Sequence, residues 1–300
     1  MDASDEHTEK VETKTSISWK FVIAVESLVI TTIVITVIFT YLGVFPFDRE
    51  LGIYRILPGD ILLDFIWLYV LSGIIGSVLY FATPNISKFL LRVHKSIRGR
   101  DAHYYSQKID YQASGISQMR RTLIPAFAAF GISYSISNIQ NIANVIFVSE
   151  GFISLDEQAQ TIISSLSLLF ILLLVACFIM LVFTPIWLLQ DSGLVCELEK
   201  KPGTISEIEG VGNWYLKMMK GFAGVSTIVA YIFTVLQTIA WYQFVLQRPP
   251  EGGISTLIFL IPVAAVTAAP ILALGPILLI FILYEISLTK NLPKLRGNEN

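Results

Sequence analysis

The sequence predicts an all-α fold: a polytopic integral membrane bundle of six transmembrane helices, both termini cytoplasmic, with helical cytoplasmic loops. Three observations carry this. The 300 residues are 54% hydrophobic and only 15% charged, with mean hydropathy +0.67, outside the range of ordinary soluble domains. Six apolar runs reach the roughly 17–25 residues that cross a hydrocarbon core. With both termini inside, the cytoplasmic parts hold eighteen of the 21 Lys and Arg, the asymmetry that orients membrane proteins.

Residues 1–18 form a polar tail. The apolar run behind it is too long and starts too late for a cleavable signal peptide, and no small-residue cleavage site follows. It reads as the first helix of a transmembrane domain over 19–286, with spans at about 19–44, 61–82, 122–147, 162–189, 222–246 and 254–286. The second span closes at Thr83-Pro84. The sixth is overlong and holds Pro262, Pro270 and Pro276. It is therefore either one kinked helix or two shorter pieces, and the basic tail over 287–300 favours one helix with its end inside.

Residues 83–121 and 190–221 are the cytoplasmic loops. In the first, Ile86, Phe89, Leu90, Val93 and Ile97 share one helical face and Lys88, Arg92 and Lys95 another. This pattern suits contact with anionic inner-leaflet lipids, and equally plain anchoring of a helix end. In the second, Thr204 and Glu207 have capping-box spacing, and Ile205, Ile208, Val211, Tyr215 and Met218 form an apolar helical face.

The third span carries the most distinctive pattern. Thr122, Ala126, Ala129, Ser133, Ser137, Gln140 and Asn144 recur every three or four residues, with Asn141 alongside, so a helix gathers them into one small-and-polar stripe. Lipid penalises such a stripe, so it faces protein or water. A shift of 101 residues lays this span on the fifth and Thr83-Pro84 on Thr184-Pro185. It also sets Ser133 and Ser137 on Thr234 and Thr238. Two parallel repeats would produce this match, and so would coincidence.

Charge at depth is scarce. Glu26 lies two turns into the first span, either as a functional carboxylate or paired with a Lys or Arg at the inner interface. Asp64 and Glu285 sit at span ends within reach of headgroup water. Cys177 and Cys196 are not placed for a disulfide. His7, His94 and His103 lie outside the spans and form no metal or catalytic motif. No activated nucleophile is evident and no loop forms a phosphate cradle, so no enzyme activity, catalytic residue, metal, cofactor or nucleic-acid partner is expected.

Two functions suit this pattern. In one, the chain is a channel or passive transporter for an ion or small polar solute, its path lined by Ser133, Ser137, Gln140, Asn141, Asn144, Thr234 and Thr238. In the other, the same residues are interhelical contacts. The chain is then a non-transporting scaffold or subunit whose cytoplasmic loops dock a partner. Both place it in the plasma membrane, in contact with the bilayer, alone, as a homo-oligomer or in a larger membrane complex.

Overall fold

The structure is a computed structural model. It describes residues 17–41, 58–99, 102–107, 115–149, 175–176, 178–198, 207–247 and 261–296. The described part is predominantly helical. In chain order it comprises α1 (Trp19–Tyr41), α2 (Pro58–Arg98), β1 (Ala102–Ser106), α3 (Gly115–Ser149), α4 (Phe178–Asp191), β2 (Leu194–Leu198), β3 (Glu207–Gly210), α5 (Val211–Gln247) and α6 (Ile261–Arg296). Three stretches are long and apolar enough to cross a membrane: Tyr69–Arg98, Val211–Leu236 and Pro270–Leu295.

Successive helices run in opposite directions. The Ser18 N–H donates to Gln118, joining the starts of α1 and α3. α2 and α6 run side by side: Tyr69 lies near Gly275, Gly76 near Leu283, and Tyr80 near Asn291. α1, α3 and α5 therefore begin at one end of the bundle, where α2, α4 and α6 finish. The core lies on α4 and α6, with Phe183, Trp187 and Ile277 fully buried and Trp187 edge-on to Phe281 at 5.4 Å. The outer flank of α5 is apolar and exposed, including Val225, Ile228, Ile232 and Val235. A soluble protein would hide such a surface, whereas lipid accepts it.

Several expectations need correction. The bundle end carries a three-stranded antiparallel sheet in the order β1-β2-β3, so neither loop is wholly helical. α2 and α4 each stop at a glycine in the left-handed region, Gly99 (φ 81°) and Gly193 (φ 69°). The chain then enters strands rich in Tyr, Val and Cys, residues that suit a half-buried pleat. Glu207 and Ile208 lie in β3, so the apolar face expected there belongs partly to a strand. Thr204 lies outside the described residues.

The buried face of the last turns of α2 also differs from the expected one. Phe89 and Ile97 are exposed, while Thr83, Ser87 and His94 are inside. Each of these buried side chains makes at least one hydrogen bond. Thr83 Oγ1 donates to the Leu79 carbonyl, Ser87 Oγ to the Thr83 carbonyl, and His94 Nδ1 meets the Tyr104 hydroxyl at 2.9 Å. Such satisfaction lets polar residues take core positions.

Prolines run through the helices without ending them. α2 continues past Pro84, and α6 is one helix through Pro270, Pro276 and Pro293. Pro84 has no N–H to give the Tyr80 carbonyl one turn back. Asn291 Nδ2, on α6 and fully buried, donates to that carbonyl at 3.1 Å. Asn291→Leu is expected to lower stability by about 1–3 kcal/mol by orphaning a buried carbonyl. In a Pro84→Ala background the backbone N–H returns and the same change costs less. Thermal unfolding of the four proteins in detergent measures this coupling.

The two Thr-Pro pairs related by the 101-residue shift meet in space. Thr83 Oγ1 lies 3.1 Å from Thr184 Oγ1, and Ser87 Oγ 3.1 Å from the Pro185 carbonyl oxygen. β1 and β2, the strands that follow α2 and α4, pair antiparallel about Tyr104 and Cys196, each the middle residue of its strand. Thr83 and Thr184 follow the 101-residue shift, whereas Tyr104 and Cys196 are 92 residues apart and do not.

Candidate functional site

The polar stripe of α3 packs against α5. Ala126, Ala129 and Ser133 are buried on α3, as are Ala223, Ala230 and Thr234 on α5. Thr227 Oγ1 lies 3.3 Å from the Phe127 carbonyl and Thr234 Oγ1 donates to the Ala230 carbonyl. A Cβ placed on Gly131 would lie 2.6 Å from the Ser226 carbonyl carbon, so the two backbones touch there with no room for a side chain. The described length of this seam is a small-residue helix contact. Ser137, Gln140, Asn141, Asn144 and Thr238 continue along the same two helices, but their side chains lie outside the described residues.

Glu26 is half-buried, and its Oε2 accepts a hydrogen bond from the Tyr69 hydroxyl at 2.8 Å. Its partner is a phenol on α2, and not the Lys or Arg of the paired reading. Lys88 is half-buried, and Arg92 and Lys95 are exposed. Lys95 Nζ stands 5.0 Å over the Tyr104 ring. One turn on, Arg98 pairs with Glu209 of β3, which also takes Lys217 at 2.8 Å. Part of this basic face thus ties the sheet to α2 and α5. Burial, and then its hydrogen bond with Cys196, hold the Tyr104 phenol above its ordinary pKa. Cys196 is a buried free thiol.

A buried charge network joins the bundle to the sheet. Arg121 on α3 grips Asp191 at the end of α4 through both guanidinium nitrogens, Nη1 to Oδ2 at 2.9 Å and Nη2 to Oδ1 at 2.5 Å. The Tyr284 hydroxyl donates to Asp191 Oδ2 at 2.7 Å. Glu285 Oε1 stands 3.7 Å from Arg121 Nη1, and this side chain is 1% exposed. Glu285 therefore does not reach headgroup water as expected: α6 turns it inward against α3. Two buried carboxylates thus face one guanidinium, one negative charge more than the cation balances. The network was invisible in sequence because its members lie 70 and 94 residues apart on three separate helices, with no common spacing.

Beside the network lies a cleft of about 570 Å³, bounded by the starts of α3 and α5, the end of α4 and the sheet. Arg120, Arg121 and Lys220 line it, with Asp191, Gln190 and Asn213. Gln190 Nε2 donates to Asn213 Oδ1 at 2.8 Å. A Cβ on Gly212 would meet the Gln190 backbone, so the first turn of α5 lies directly on the end of α4.

These features define a class: a predominantly helical protein with three helices able to cross a membrane and a small sheet at one end. No family model, no curated protein and no solved structure matches the chain.

Proposed function

We propose that this chain is a six-span membrane protein that acts as a non-transporting scaffold or subunit, with the sheet and both termini in the cytoplasm. The single observation that favours it is the backbone contact of Gly131 with Ser226, which closes the described α3–α5 seam at that level. The Lys and Arg bias supports the orientation, and the alternating helix directions suit six spans. The channel reading keeps one specific support. α3 is one continuous helix to Ser149, so Gln140 and Asn144 extend the stripe beyond the closed portion.

Reconstitution into proteoliposomes separates the two. The scaffold reading expects fluxes of potassium, chloride, urea and glycerol no faster than in protein-free vesicles. A flux that Ser137→Leu or Asn141→Leu abolishes in a folded protein would establish the channel instead.

A further inference from the structure

We propose that the cleft between α3, α5 and the sheet binds the phosphate of an anionic lipid headgroup. Its size, about 570 Å³, is that of a ligand pocket and suits a headgroup. Its charge is positive. Arg121 is committed to Asp191, but among the described residues neither Arg120 nor Lys220 meets a carboxylate, and both are exposed. The first turn of α5 contributes Gly212 and Asn213 to the wall, adding the positive end of a 37-residue helix. Level with these cations, Ile124 and Leu216 give the cleft an apolar side. Immediately beyond Lys220, α5 exposes Phe222 and Val225. Ile116, Met119 and Met218 are exposed just before the two cations as well, so the cations stand within a mixed apolar and basic surface of the kind that meets the interfacial layer of a bilayer, and this favours a lipid over a free anion. The site is separate from the basic face of α2.

The test uses the full chain in an uncharged detergent, titrated with dioctanoyl-phosphatidylglycerol and read by native mass spectrometry. Saturable binding of one lipid is expected. The pair Arg120→Gln with Lys220→Gln should weaken it at least tenfold. The control pair Lys20→Gln with Lys290→Gln, exposed on α1 and α6, should leave it unchanged. Matching unfolding midpoints show that both proteins are folded. Equal weakening by the control pair would mean diffuse attraction to basic surface and overturns the site. So does an unaffected affinity in the cleft pair. Equal binding of dioctanoyl-phosphatidylcholine, or full displacement by inorganic phosphate at the lipid's own concentration, overturns the assignment to an anionic lipid.

Discussion

Arg121→Leu is expected to be the most damaging single change in the bundle, destabilising it by about 3–5 kcal/mol, the usual cost of leaving a buried charge uncompensated. The substitution removes both hydrogen bonds to Asp191 and the only cation near Glu285 among the described residues. Asp191 and Glu285 are then two buried carboxylates, their side chains 3% and 1% exposed, supported by the Tyr284 hydroxyl alone. Glu285→Gln should behave differently. It keeps the shape and removes the surplus negative charge, so its effect should stay within about 1 kcal/mol. Thermal unfolding in detergent, followed by far-UV circular dichroism, compares the two. If Glu285→Gln is as destabilising as Arg121→Leu, the carboxylates are not in excess and the charge balance described above is wrong.

Gly131→Val is expected to pry α3 from α5. Its first side-chain atom would lie 2.6 Å from the Ser226 carbonyl carbon and 2.8 Å from its oxygen. Backbone cannot swing aside as a side chain can, so one helix must shift along its length. The cost should be about 3 kcal/mol, the upper part of the range for overpacking. Gly224 on α5 is the control, since a Cβ there meets nothing within 4 Å. Gly224→Ala should be neutral or stabilising by up to about 1 kcal/mol, because Ala is the better helix former. Unfolding midpoints give both values. A Gly131→Val protein as stable as the parent would show that the seam is loose enough to hold water, and would return weight to the channel reading.

The stripe on α3 was legible because small and polar residues at helical spacing have one geometric meaning wherever the helix sits. Its neighbour was less legible. The 101-residue shift that laid α3 on α5 allowed a repeat or a coincidence, and it also paired Thr83 with Thr184, which meet between α2 and α4. The basic residues of α2 have neighbours that local sequence does not report. Lys95 suits anionic headgroups or plain anchoring of a helix end, yet it stands over an aromatic ring, and one turn on Arg98 meets a carboxylate on the sheet. Nothing local in residues 86–97 reports the Tyr104 ring.

Composition, run length and the side on which Lys and Arg fall depend on residues only through their transfer free energies. Sequence alone therefore carried a membrane-type, predominantly helical chain with six apolar runs. Helix interiors followed too, prolines included, because a long apolar run has no better way to satisfy its backbone than a helix. The sheet, the inward turn of Glu285 and the grip of Arg121 on Asp191 needed the tertiary structure. They are pairings between segments scores of residues apart, and the energy of such a pair lies in mutual geometry that neither segment encodes by itself.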